Sequence, residues 1–333
     1  MARAIRATPL ELDAAVQALR AGELVAFPTE TVYGLGANAQ HAAAVQKIFA
    51  VKGRPADHPL IVHIDSARFL HRWAREVPAA AARLAERFWP GPLTLVLPRA
   101  PEVLDLVTGG QDSVAVRVPA HPMAQQLLTA FGGGIAAPSA NRYGHVSPTR
   151  AEHVREEFGA AVRVVLDGGE CQVGLESTIV ACLEGRPRLL RPGQITLAQL
   201  RHAVGEVAVG PGDAAPRVPG SASAHYAPRT PLRLVTDGQI ERLAAELARE
   251  GTRVGVLAQR SPLGTFRHVT WVNAGVRPEN YAHDLYANLR TLDKAGAACL
   301  LVQEVPADAR WDAVRDRLAR AAAGTPPGLD ELP

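Results

Sequence analysis

The chain has 333 residues, 47% hydrophobic and 21% charged, which excludes disordered and fibrous proteins and exceeds what one hydrophobic core usually organises. Its net charge is only +3, from 36 basic and 33 acidic side chains, which excludes a general nucleic-acid coat protein. The three cysteines, Cys171, Cys182 and Cys299, show no CxxC spacing and suit neither a disulfide framework nor a structural zinc site.

Thr8-Pro9-Leu10-Glu11 is a capping box with proline at the first helical position, and it predicts an amphipathic helix over 8–22. A strand is expected over 23–27, followed from Pro28 by a polar loop, PTETVYGLG. A helix over 41–50, a strand over 60–64 and helical stretches over 66–88 come next. Strands follow at 93–97 and 113–118, then a helix at 121–131 and a short strand at 134–137. Thr149-x-x-Glu152 predicts another helix cap, and strands at 162–166 and 177–182 complete the set. Helices and strands alternating without a repeat argue for an α/β domain with a mixed sheet over residues 1–205, which the family resemblance set out below implies to be twisted and open.

From 206 to 230 the composition turns to Pro, Gly, Ala and Ser and loses any period, so this segment reads as a linker. Beyond it, over 231–333, strands at 232–235, 253–258, 268–272 and 298–302 alternate with helices near 238–250, 278–294 and 312–322. That is the pattern of a small parallel-sheet α/β domain, which the family resemblance set out below implies to be Rossmann-like. Residues 231–333 carry 13 basic and 13 acidic side chains, and the linker carries two of each, so the positive balance lies entirely in residues 1–205. An anion site is therefore expected in the first domain. The opening MARAIRATPLELDAA has no signal-peptide core, and no stretch has the length of a membrane span, so a cytoplasmic protein without membrane contact is expected.

No GxxxxGK[ST] loop, GxGxxG, HExxH or GxSxG element occurs. Polar clusters at predicted strand ends remain. Pro28–Gly36 offers hydroxyls past a strand, or forms an ordinary turn. Lys52-Gly53-Arg54-Pro55 places two cations beside a glycine, a combination suited to polyphosphate, and Lys52 is one of only three lysines. In SVAVRVP, alternation puts Val114, Val116 and Val118 on one face and Ser113, Ala115 and Arg117 on the other. Arg117 then needs an anion, either a structural carboxylate or a ligand carboxylate. Ala136–Asn141, Ser147-Pro148, Gly174–Thr178 and Arg191-Pro192-Gly193 complete the clusters.

In this order and spacing, PTETVYGLG, KGRPADHPLIVHI, FWPGPLTLVL, VAVRVP, APSANRYG, GLESTIV and LLRPGQI resemble the YrdC-type threonylcarbamoyl-adenylate synthase family over nearly all of residues 10–195. HYAPRTPL and the extra domain are similar to its two-domain branch. The resemblance implies a nucleotidyltransferase that joins L-threonine, bicarbonate and ATP into threonylcarbamoyl-AMP and pyrophosphate. A separate transferase complex then carries the group to the tRNA adenosine beside the anticodon.

Carried over position by position, Lys52 and Arg54 serve the ATP phosphates as the catalytic pair, with Ser113, Ser139, Asn141, Ser147 and Arg191 as further ATP contacts. Tyr226 reaches the nucleotide from the linker, which acts as a lid. Threonine is held by Thr31, His63, Arg117, the Ala137 backbone and Ser177. Mg²⁺ is expected with ATP, ligated mainly by the triphosphate, and no protein metal ligands are expected. Two departures stand out. His58 occupies an ATP-contact position where relatives usually carry Asn, and PGSASAHYAP lacks the methionine and basic residues common before HYAP. Two other readings stay in view: a module that binds double-stranded RNA or tRNA without catalysis, and carbamoyl transfer as in hydrogenase maturation. Thin basic character and few aromatics count against the first. The lack of an acylphosphatase-like region or zinc-finger cysteines counts against the second.

Overall fold

Thr8 opens the first helix, α1 (Pro9–Arg20), with a reciprocal cap: its Oγ1 accepts from Glu11 N, and the Glu11 carboxylate accepts from Thr8 N at 2.9 Å. The computed structural model describes residues 7–183, 185–210, 212 and 215–324. They divide into two units. The first runs to Tyr143 and resumes from Pro148 to Ser221; the second takes Gly144–Ser147 and the chain from Ala222. The boundary at Ser221 falls inside the proline- and glycine-rich segment.

In the first unit α1 leads to β1 (Val25–Phe27), β2 (Gly34–Asn38), α2 (Ala42–Lys52) and β3 (Ile61–His63). A 3₁₀ turn (Ala67–Arg72), α3 (Ala79–Phe88), β4 (Leu93–Pro98), α4 (Asp105–Thr108), β5 (Ser113–Arg117), α5 (Pro122–Phe131) and β6 (Ile135–Ala136) follow. The rest is α6 (Ala151–Phe158), β7 (Val164–Val165), β8 (Thr178–Ala181), β9 (Arg188–Arg191), α7 (Leu197–Val204) and β10 (Ala208–Val209). One mixed sheet results, ordered β10-β9-β8-β4-β5-β3-β6-β2-β1-β7. β5 pairs parallel with β3 and antiparallel with β4, and β4 pairs parallel with β8.

Several local expectations differ from the structure. Residues 34–36, read as the end of the polar loop, open strand β2. Thr149 does not cap α6; the N-cap is Arg150 without a side-chain bond, and the His153 ring instead accepts from Thr149 N at 3.2 Å. The helical stretch over 66–88 is broken into the 3₁₀ turn and α3. β9, α7 and β10 went unread, although Thr196 and Gln199 form a second capping box and β10 lies in the segment read as linker.

Alternation along β5 divides the sheet's two faces. Val114 and Val116 join the main core under α2, α3, α6 and α7, whose apolar residues include Ile48, Leu84, Val154 and Leu200. Ala115 faces the other way, into a smaller cluster of Ile61, Val96, Ile179 and Ala181 covered by Val218. Over β1 and β6 that second face is covered by α1 and α5. The polar ends of β3, β5 and β8 emerge between these two covers.

The second unit is β11 (Leu232–Val235), α8 (Asp237–Arg249), β12 (Val254–Ala258), β13 (Val269–Asn273), α9 (Pro278–Lys294), β14 (Cys299–Gln303) and α10 (Asp312–Ala323). Its sheet is wholly parallel, ordered β11-β14-β12-β13. Ile240, Leu243, Ala244 and Leu247 recur at helical spacing on α8 and pack on Val254, Val256 and Leu301. Among the described residues no helix is long and apolar enough to cross a membrane.

Leu95 sits mid-sheet opposite both Val116 and Val180 and is fully buried, whereas Leu10 on α1 is 81% exposed. Leu95→Ala is expected to cost about 2–5 kcal/mol in denaturant unfolding, and Leu10→Ala less than about 0.5 kcal/mol.

Candidate active site

Arg117 ends β5 on the face that carries Ala115, with His63 of β3 beside it in register. Its guanidinium is buried and makes three contacts. Nη1 donates to Thr31 Oγ1 at 2.8 Å, Nε to the Gly91 carbonyl at 3.3 Å, and Nη2 lies 2.7 Å from Glu30 Oε1. Glu30 Oε2 accepts from Ala120 N at 2.9 Å. The anion required by a buried arginine is therefore present as a structural carboxylate, Glu30. Of five guanidinium N–H groups two donate hydrogen bonds, and Nη2 meets Glu30 as an ion pair without a hydrogen bond, so at least one N–H on each terminal nitrogen is left.

His63 is buried against the edge of Phe27, with ring centroids 5.9 Å apart. Burial, and then the Arg117 charge, push its pKa from 6.5 down to about 3. The ring is neutral near pH 7. Nδ1 lies 3.3 Å from the Ile61 carbonyl, and the Ile135 carbonyl is a second acceptor for the ring. Across β5, Thr94 and Ser177 share a 2.7 Å hydroxyl bond. Arg191 clasps Ser177, with Nε and Nη2 donating to its carbonyl at 3.1 and 2.9 Å. Its Nη1 donates to Pro219 O at 2.8 Å, tying the segment that bears Val218 to the sheet.

A second corner forms at the end of α2. Gly53 turns the chain in the left-handed conformation (φ 64°) after Lys52, whose ammonium is buried. Lys52 Nζ donates to the Ser139 carbonyl at 2.7 Å and to the Asn141 carbonyl. Among the described residues no carboxylate forms an ion pair with it. Burial and then the Arg54 charge hold its pKa well below the usual lysine range. The loop carrying its acceptors is fixed by Ala137 N to Ile61 O (2.9 Å), Leu35 N to Pro138 O (2.8 Å) and Ala140 N to Tyr33 O (2.8 Å). Arg54 donates to the Pro59 carbonyl at 2.8 Å and lies 5.9 Å from the Tyr143 ring centroid. The Tyr143 hydroxyl is 3.4 Å from His58 Nδ1, and the two rings meet edge-on. Burial and Arg54 lower the His58 pKa, so the ring that stands in the usual asparagine position is neutral near pH 7.

The expected residues thus fall into groups. Thr31, His63, Arg117, Ala137, Ser177 and Arg191 lie at adjoining ends of the first unit's strands or in the loops beside them. Lys52, Arg54, His58, Ser139 and Asn141 gather at the end of α2. Ser113 is at the opposite end of β5 from Arg117 and lines a cavity of ≈ 890 Å³ together with Arg75, Asp112, Arg186 and Arg188. Ser147 and Tyr226 belong to the second unit. There Tyr226 has φ 61°, is buried, stacks on Tyr286 at 5.9 Å and lies under the Arg317 guanidinium at 5.2 Å.

The donor set does not fit a protein-held magnesium ion. Lys52 and Arg54 are cations, their neighbours are carbonyls, and the Glu30 carboxylate is committed to Arg117 and Ala120 N.

A family profile described as "Telomere recombination", Sua5/YciO/YrdC, matches residues 17–193, more than half of the chain. The chain belongs to the Sua5/YciO/YrdC family. A second profile, "Threonylcarbamoyl-AMP synthase, C-terminal domain", matches residues 195–323. The chain is 43% identical to the threonylcarbamoyl-AMP synthase of Pyrococcus abyssi over 91% of its own length and 92% of the relative's. It is 41% identical to that of Bacillus subtilis, with 94% and 93% covered. The crystal structure of P. abyssi Sua5 complexed with L-threonine superposes with a TM-score of 0.88 at 41% identity, covering 96% of each chain.

Three contact residues of this Sua5-type site escaped the sequence reading: Glu30, Thr94 and Tyr143. Thr94 left a trace, as the one hydroxyl in the otherwise apolar LTLVLP strand. Glu30 lay inside a quoted motif, but its partner is remote in sequence.

Because the native pKa of His63 lies below its ordinary value, its contribution to stability is complete above about pH 6.5 and is lost as pH falls toward 3. Unfolding free energy should therefore fall by up to about 1.4 kcal/mol per pH unit across that window through this group alone. His63→Asn, compared by urea titrations at several pH values, should flatten the slope by close to one proton.

Proposed function

We propose that the chain is an L-threonylcarbamoyladenylate synthase, a nucleotidyltransferase that joins L-threonine, bicarbonate and ATP and releases pyrophosphate. The observation that carries this reading is Lys52, a buried ammonium whose hydrogen bonds among the described residues go to carbonyls, beside a second cation, Arg54. A polyphosphate is an anion that both a point charge and a planar fork can grip. Kinship with the P. abyssi and B. subtilis synthases supports the same reading.

In this scheme Arg117, Thr31, Ser177 and the neutral His63 hold threonine. The amine of threonine takes up the bicarbonate carbon with loss of water, giving a carbamate. A carbamate oxygen then attacks the α-phosphorus, and the bond to the bridging oxygen breaks with its electron pair leaving on pyrophosphate. No side chain forms a covalent bond; Lys52 and Arg54 stabilise the charge that grows on the phosphates. Magnesium, if bound, would be held by the triphosphate rather than by these side chains, and would offset phosphate charge beside Lys52 and Arg54. Ser139, Asn141 and Arg191 complete the nucleotide contacts of the first unit, and the product passes to a separate tRNA threonylcarbamoyl transferase complex.

Pyrophosphate release should require ATP, threonine and bicarbonate together. Lys52→Ala should lower kcat/KM by about 10²-fold or more, and Arg117→Ala should act first on the KM for threonine. ATP turnover indifferent to threonine would contradict the assignment.

A further inference from the structure

We infer that Glu30 is a positioning residue for the substrate carboxylate, acting through Arg117; this rests on the function proposed above. Glu30 is buried in the loop between β1 and β2, and both its backbone and its side chain are fixed. Thr29 Oγ1 accepts from Thr31 N and Val32 N, each at 3.2 Å, which sets the loop's turn. The Glu30 carbonyl accepts from Val173 N at 2.7 Å. One carboxylate oxygen faces Arg117 Nη2 at 2.7 Å, and the other accepts from Ala120 N at 2.9 Å, at the entry to α5. The carboxylate therefore bridges the strand-end arginine and the backbone just beyond that strand.

The consequence for Arg117 is orientation. A guanidinium rotates about its stem unless its N–H groups are fixed on more than one side. Here Gly91 O accepts from Nε, Thr31 Oγ1 accepts from Nη1, and the Glu30 carboxylate stands 2.7 Å from Nη2 as an ion pair. At least one N–H on each terminal nitrogen is left, which is what a bidentate carboxylate contact needs. Without the Glu30 contact the fork loses its restraint at Nη2. Thr31 sits next to Glu30 in the chain and is itself bonded to Arg117, so the same loop sets both the arginine and a proposed threonine contact. A buried ion pair is a poor source of stability compared with apolar packing of the same volume, so fixing geometry is the role that suits it.

The test uses the full-length protein, with steady-state pyrophosphate release and direct titration of L-threonine. Glu30→Gln should raise the KM and dissociation constant for threonine by about tenfold or more. The KM for ATP should stay within about twofold, and kcat at saturating threonine should change little. In an Arg117→Ala background the same substitution should add nothing to the loss of threonine binding, because the effect passes through the arginine. Glu30→Asp, which keeps the charge, should recover part of the affinity, and it serves as the primary variant if Glu30→Gln does not fold. Threonine affinity unchanged or tightened in a folded Glu30→Gln or Glu30→Asp protein would overturn the inference, as would an equal rise in the KM values for threonine and ATP. Failure of the unmodified protein to bind threonine at all would instead count against the proposed function.

Discussion

A guanidinium removed from water at the end of a central strand costs several kcal/mol unless an anion and a full set of acceptors meet it. Arg117 is that group, and the loop between β1 and β2 is shaped to meet it. Glu30 supplies the charge, Thr31 a hydroxyl and Gly91 a carbonyl. The same demand sets the state of His63: buried and with a fixed cation beside it, the imidazole stays neutral. A neutral ring can accept a hydrogen bond that an imidazolium cannot, so the arginine governs the chemistry of its neighbour as well as its own.

Lys52 presents the opposite case. Its ammonium is buried, its hydrogen bonds among the described residues go to carbonyls, and its pKa is driven down. The first corner carries its own carboxylate, and the second sets two cations side by side. One sheet serves both because its face changes cover along its width. α1 and α5 cover β1 and β6, while Val218 covers the middle strands through a segment that Arg191 ties down. The strand ends between these covers carry Arg117, His63 and Ser177. Apolar packing supplies the platform, and the polar groups stand where packing stops.

Much of this was legible in the chain because periodicity reports burial. The alternation in SVAVRVP separated the core valines from Ala115 and Arg117, and the helical spacing of Ile240, Leu243 and Leu247 announced the second unit's α8. Elements whose residues serve a remote contact were not legible. Gly34-Leu35-Gly36 reads as a turn, yet it is strand β2. A Cβ at Gly36 would lie 2.7 Å from Ile135 and 2.9 Å from Phe27, so this glycine serves close packing. Thr149 carries a cap signature, but His153 competes for the backbone N–H and wins. Whether the anion of Arg117 was protein or ligand could not be read locally, because Glu30 sits in another loop and reaches it only through the fold. The motif strings carried the family, whereas the ion pair that organises one of them became visible only in three dimensions.

In the proposed reaction both corners act together, and the carbon of bicarbonate becomes part of an adenylate of threonine. Mass spectrometry of the nucleotide products, after incubation with ATP, L-threonine and isotopically labelled bicarbonate, distinguishes it from other ATP turnover. A threonylcarbamoyl-AMP species that carries the label, and that is absent when either threonine or bicarbonate is omitted, is the expected product. AMP or ADP formed without any labelled threonine adduct would contradict the proposed reaction.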